Sequence, residues 1–493
     1  MERIPKKSIK VNALFSVIKQ LLSIIFPMIT LYYATRVLGK ENYGMVNFTK
    51  SIVSYFSLLA GLGVSTYAIR EGARIRDSKD RFFSFANEVF TINVYSTIIS
   101  FVGVCVLSFI SEFKDWNINP ILYYVFAISF LLITIGADWI NSIYEDYAYI
   151  TVRYIIIYAI SLILMFILVK QQSDYVKYSL LLVVASAGGN ILNVYYIRRY
   201  AHLKLVSISK CKQHIKPILI LFVSAIASVI YINSDITLIG IFDGNETVAL
   251  YNVASQIYIA IKHIVNAAVI VTIPRLSFYQ GNDNQNMYNG LIGKIMDYAL
   301  FLILPLIVGL FELSNPVMVF MGGAEYGDGS LSLRILSLSL VFAVISYILS
   351  SCILIPQKKD ITFLIATIVS AIINITLNII LIPIISLNGA ALTTLISEIV
   401  LFIILWRKCK ICGIIKFNKK VIISSVIACL PIIVVCEIIK KMNFNVVFSL
   451  ASSVFLCTIA YLAISFTMHN PVAKDILSLI KTIIIKAKNK NQC

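Results

Sequence analysis

Charge is what this sequence has little of. Only 13% of its 493 residues are Asp, Glu, Lys or Arg, while 59% are hydrophobic and the mean hydropathy is +0.88. A soluble globular chain carries about a quarter charged residues, so a soluble enzyme of two or three domains is excluded. The same numbers exclude disorder, which needs low hydrophobicity. Long polar stretches are also missing. The longest connections between apolar runs are 198–216, 274–292 and 313–331, too short for a soluble catalytic domain, and no nucleotide-binding motif precedes a helix. Acidic residues are the scarcer sign, 24 against 42 Lys and Arg, for a net charge of +18. No soluble domain gathers that charge into a nucleic-acid footprint. Histidines number four, and the Cys-Lys-Ile-Cys at Cys409 and Cys412 has no second Cys pair or nearby histidine, as a zinc site requires. The basic N-terminus runs into an apolar stretch without a small-residue cleavage site, which predicts a first membrane helix rather than a cleaved signal.

What remains is apolar sequence in segments of membrane-crossing length. A crossing takes about 20 residues, so fourteen crossings would use about 57% of the chain, close to its apolar fraction. The spans read as 11–34, 43–66, 83–110, 121–139, 150–169, 178–197, 217–241, 249–273, 293–312, 332–355, 361–382, 388–406, 420–437 and 445–467. With the N-terminus inside, 31 of the 42 Lys and Arg fall in cytoplasmic segments and eight outside, the asymmetry expected of a polytopic protein.

A weak repeat appears at a shift of 205 residues: Gly39-Lys40-Glu41 falls on Gly244-Asn245-Glu246, Asn47 on Asn252 and Arg70 on Arg275. An even number of spans per half makes the halves parallel, an arrangement of transporters that alternate access to a central cavity. The expected fold is therefore an all-α polytopic membrane protein of about fourteen helices. A six-helix lobe (1–200), a basic linker (201–216) and a second six-helix lobe (217–406) are followed by two added helices (407–467) and a basic tail (468–493). That tail, with five lysines in 474–490, either lies on anionic membrane lipids or is simply solvated.

Three lysines lie inside spans: Lys19, Lys50 and Lys262. A charge at mid-bilayer costs about 3 kcal/mol or more. Snorkelling accounts for Lys19 and Lys50, nearer helix ends, better than for Lys262. No acidic residue lies within one helical turn of any of them, and cations without local partners suit an anionic passenger such as a diphosphate. Asp235, Asn378 and Thr394 fall at similar depth, and Asn374 shares a helix face with Asn378. Oxygen ligands so placed can bind a small hard cation such as sodium, and equally can hydrogen-bond between helices. The Asp138–Arg153 stretch, with Glu145, is acidic and aromatic at a cytoplasmic junction. Aromatics are expected there; the carboxylates are not, and they lack the cleft that paired-carboxylate chemistry needs.

The chain resembles a known family at these residues. The marks are Arg36-Val-Leu-Gly-Lys-Glu-Asn-Tyr-Gly44, the Asp138–Arg153 stretch, and the ordered run ILIPQKKD (353–360), INITLNIILIP (373–383) and NGAALTTLISE (388–398), which ends at Glu398. It is similar to the Wzx-type lipid-linked oligosaccharide flippases of the multidrug/oligosaccharidyl-lipid/polysaccharide exporter superfamily. One departure is Ile143, where the family often has Gly. The resemblance implies a V-shaped pair of lobes, non-enzymatic transport of an undecaprenyl-diphosphate-linked oligosaccharide across the bacterial cytoplasmic membrane, and a polymerase and chain-length machinery as partners. It implies a cationic cavity, for which Lys19, Lys50 and Lys262 stand on the matching helices. It also implies a sodium site at Asp235, Asn374 and Thr394, with Asn378 standing where the family pattern has a carboxylate; sodium or proton coupling stays open. Asp138, Glu145, Arg153 and Glu398 are motif positions without an assigned role. A peptidoglycan lipid II flippase, a drug/cation antiporter and, least, a membrane polymerase or glycosyltransferase are the competing readings.

Overall fold

The computed structural model describes residues 9–114, 116–270, 272–281, 284–411, 418–442 and 444–478. Among the described residues the secondary structure is helical throughout, with no strand. Each of the fourteen expected apolar stretches falls on helical backbone to within a few residues. By length and apolarity ten helices can cross a membrane, or eleven with the bent Ile208–Ala227 and Val229–Phe242 pair. Two of the ten, Leu22–Ile75 and Asp360–Lys410, run for 54 and 51 residues, enough for two crossings each. Fourteen crossings follow only if both are divided and the shorter Pro120–Gly136 is admitted.

The two long helices carry breaks where such a division would fall. At Gly39 the backbone turns to φ 73°, ψ 169°, a conformation that costs glycine little and other residues much. In the second, Ile385 and Ser386 leave the helical region, Ser386 at φ 53°, just after Pro383.

The chain forms two compact units, residues 1–252 with 375–387, and residues 253–374 with 388–493. The first contains α1 (Ile9–Gly61), α2 (Val64–Ile75), α3 (Lys79–Phe113), α4 (Pro120–Gly136), α5 (Trp139–Ile143), α6 (Tyr147–Leu168), α7 (Tyr175–Val183), α8 (Gly189–Tyr196) and α9 (Ile208–Phe242), plus the opening turns of α10 (Asn245–Ile270). One of its cores gathers Val64, Tyr67, Phe82, Phe85, Trp139, Ile140 and Ile143. Ile143 fills space that Gly72 vacates: a Cβ on Gly72 would lie 2.4 Å from the Ile143 Cδ1.

The second unit holds the rest of α10, then α11 (Ile273–Gly281), α12 (Gln285–Glu312), α13 (Ser314–Gly322), α14 (Ser330–Ile348), the remainder of α15 (Asp360–Ile411), α16 (Lys419–Lys441) and α17 (Val446–Thr467). The α16–α17 hairpin is fastened to α12. The Tyr461 hydroxyl donates to the Phe301 carbonyl at 2.7 Å, and Lys440 reaches Glu312 at 2.8 Å. Ala390 and Ala391 are fully buried, the close packing that small residues permit. Cys409 is buried; Cys412 and most of the basic tail lie outside the described residues.

Candidate functional site

The two glycines matched by the repeat, Gly39 and Gly244, both adopt left-handed backbone, at φ 73° and 82°. Each starts a turn into the following helix, and within the first unit the two turns interlock. The Tyr43 hydroxyl donates to Asn252 Oδ1 at 2.9 Å, and Asn245 Nδ2 donates to Glu41 Oε1 at 2.9 Å. Lys40 sits 3.6 Å from Glu246. Gly44 lets the backbones meet, since a Cβ there would stand 1.8 Å from the Asn245 carbonyl oxygen. Two weak sequence similarities therefore become one contact.

Deeper in the same unit, Asp235 and Asn378 come together. Asn378 Nδ2 donates to Asp235 Oδ1 at 2.6 Å, and the Tyr251 hydroxyl donates to Oδ2 at 2.5 Å. Tyr251 was not among the residues singled out by sequence, although it lies in the strongest repeat segment. Thr237 lies nearby in the sequence, bridging Ser51 and Tyr55 at 3.0 and 3.1 Å. Asn374 and Thr394, the other expected ligands, are buried in the second unit. Both Asp235 oxygens thus have protein donors. Each carboxylate oxygen has two acceptor sites, so these two donors by themselves do not exclude a sodium ion. Among the described residues no group of three His, Cys, Asp or Glu side chains is placed to hold a metal.

In the second unit Lys262 is not the unpartnered cation its local sequence implies. Its Nζ lies 2.8 Å from Glu398 Oε1, and the Tyr258 hydroxyl donates to the same oxygen at 3.1 Å. The correction comes from α15 folding against α10: an absence of acids within one helical turn says nothing about a neighbouring helix. Glu398 is 1% exposed while the Lys262 side chain keeps 27%. Among the described residues nothing donates a hydrogen bond to the buried Glu398 Oε2. A signal existed, because Tyr258 and Lys262 are four apart on one helix face and Glu398 is a rare acid within an apolar span.

Lys50 differs. Its side chain is exposed, and it has no ion pair among the described residues. The side chain of Lys19 lies outside them. The motif carboxylates serve as ties between helix ends: Arg153 pairs with Asp138 at 2.9 Å and Arg76 with Glu145 at 2.9 Å. Arg199 pairs with Asp146, which also accepts from Tyr200 at 2.7 Å. Burial and that carboxylate push the Tyr200 hydroxyl up to about 12, so it stays a donor at neutral pH.

The fold defines the class first. The chain is similar to a solved structure titled "Lipid II flippase MurJ, inward closed conformation", with a TM-score of 0.75 at 19% identity over 93% of this chain and 99% of that one. It is also similar to an inward-facing multidrug resistance MATE family transporter, with a TM-score of 0.59 at 16% identity over 81% and 98%. It thus has the helical membrane fold shared by these transporters. The polysaccharide biosynthesis protein family matches residues 9–280, more than half of the chain, and the chain belongs to that family. A curated relative from Shigella dysenteriae, named "Putative O-antigen transporter", is 25% identical over 343 residues, 68% of this chain and 83% of the relative.

Proposed function

We propose that the chain is a flippase. It carries undecaprenyl-diphosphate-linked oligosaccharide repeat units across the bacterial cytoplasmic membrane for capsule, O-antigen or exopolysaccharide assembly. The observation that carries this reading is a lysine charge kept part-exposed in the middle of an apolar helix, at Lys262. Such a charge is costly in a bilayer unless it is paired or faces an aqueous path; Glu398 pairs it, and its part-exposure leaves the ammonium open to a ligand. Membership of a polysaccharide biosynthesis family supports a glycan cargo.

In this reading the diphosphate enters from the cytoplasm and meets Lys19, Lys50 and Lys262. The glycan fills the polar lumen and the prenyl tail stays in lipid. Opening to the outside separates the turns at Gly39–Asn47 and Gly244–Asn252. Membrane potential biases the cycle, at about 2.3 kcal/mol per charge for each 100 mV. A cation at Asp235 adds to that bias. Both termini face the cytoplasm, as the Lys and Arg distribution supports. No covalent step is required. A polymerase and chain-length machinery then receive the delivered unit.

The test is the lipid pool. Depleting the protein in its host is expected to accumulate a complete diphosphate-linked repeat unit on the cytoplasmic leaflet, read by mass spectrometry. An unchanged pool, in a host without a duplicate transporter, would move the reading to a drug exporter. The fold likeness to a lipid II flippase supports a second reading, lipid II itself as cargo; rescue of a lipid II flippase depletion would favour it.

A further inference from the structure

Glu398 has a use that neither fold nor family assigns. Lys262 is held at 2.8 Å by a carboxylate that is almost fully buried, with a second donor from Tyr258 and one oxygen left without a hydrogen bond. A structural ion pair in a low-dielectric interior normally satisfies both carboxylate oxygens, because an unmet buried acceptor costs stability. Here the carboxylate is under-satisfied, while the ammonium side of the pair is the part left open. Lys262 has three N–H donors, and the carboxylate occupies one.

We propose that Glu398 is the specificity-determining residue of the Lys262 site: a built-in competitor that makes Lys262 accept a diphosphate and refuse a phosphodiester head group. The inference rests on the cargo reading above. Its physical basis is a difference of affinities. Anionic phospholipids are abundant in the surrounding membrane, and a bare lysine opening into that environment would bind them. With Glu398 in place, an incoming anion must outbid a carboxylate already at contact distance. A phosphodiester offers one negative charge, the same as Glu398, and gains little by exchange. A diphosphate brings more than one charge and several acceptor oxygens, enough to engage the free N–H groups and to outweigh the displaced carboxylate. Tyr258 remains to donate to Glu398 when Lys262 leaves.

The experiment uses the full chain in phosphatidylglycerol-containing nanodiscs, with a polyprenyl-diphosphate-linked sugar and a polyprenyl-phosphate-linked sugar (a phosphodiester) as probes. Wild type is expected to prefer the diphosphate at least tenfold. Glu398→Gln, which keeps the shape and removes the charge, is expected to bind both probes more tightly and to narrow the preference several-fold. It should also retain more phosphatidylglycerol on purification, read by native mass spectrometry. Glu398→Asp keeps the charge but withdraws it from Lys262, and is expected to fall between the two; it supplies the test if Glu398→Gln does not fold. An unchanged preference in a folded Glu398 variant, with Lys262→Ala losing diphosphate binding, would overturn the competitor role and leave the cargo reading intact. Lys262→Ala binding both probes as wild type does would overturn the two together.

Discussion

Asp235 and Glu398 are both carboxylates buried within apolar helices, and the two are satisfied in opposite ways. Asp235 is served by neutral donors, one to each oxygen: Asn378 at 2.6 Å and Tyr251 at 2.5 Å. Glu398 is served by a cation, and only on one oxygen. The first is a carboxylate held by uncharged hydrogen-bond donors, a setting in which a small cation is a candidate ligand. The second has its counter-charge already, and that counter-charge is what an anionic cargo would take. The comparison separates a candidate coupling site from a candidate cargo site without reference to any bound ligand.

The largest test of that contrast is Lys262→Ala. It removes the cation proposed to meet the cargo and leaves Glu398 buried and uncompensated, a loss of about 3 kcal/mol or more when one partner of a buried pair is removed. Export of polymer should cease while the protein stays in the membrane, and full polymer in that strain would sink the cargo assignment. Adding Glu398→Gln should restore thermal stability but not export.

Next is Asn378→Asp, which places a second carboxylate against Asp235. Two adjacent like charges disfavour one another's ionisation, so the variant should be destabilised without salt and should gain stability specifically with sodium, seen as a rise in Tm that potassium does not give. No sodium-specific rise would argue against a cation at Asp235.

Gly44→Ala addresses the interlocked turns. Its Cβ would stand 1.8 Å from the Asn245 carbonyl oxygen, and the backbones must part at a cost of about 2 kcal/mol. Labelling of a cysteine introduced at Glu41 from the outside should increase, and unchanged labelling would mean that these turns do not gate. The smallest effect belongs to Tyr258→Phe, which removes one donor from Glu398 and leaves the ion pair. It should cost about 1 kcal/mol and lower export a few-fold at most.

Much of this was legible before any coordinates. The apolar segments fall on helices because about 20 apolar residues in a bilayer must satisfy their backbone internally, and a helix does so within one segment. Gly39 and Gly244, matched at the shift of 205 residues, both take the left-handed backbone that glycine favours at a turn between helices. Depth along the helices groups Asp235, Asn378 and Thr394; Asp235 and Asn378, 143 residues apart, are hydrogen-bonded, and Thr394 lies in the second unit. Depth does not reveal rotation about the helix axis, however. Tyr251 was missed for that reason, and so was the pairing of Lys262 with Glu398. The charges in the Asp138–Arg153 stretch were noticed but not explained, since Arg76 and Arg199 reach them from elsewhere in the chain.

The sequence by itself determined that this is a helical membrane protein, where its apolar segments lie, and which few polar residues stand inside them. It could do so because hydropathy and charge act through transfer free energies that add along the chain. Only the tertiary structure decided which of those residues meet. Contact between helices depends on the face each turns to its neighbour, and one α-helical residue turns that face by about 100°. Lys262 therefore looked like a bare cation on its own helix, and became half of an ion pair when α15 brought Glu398 to 2.8 Å.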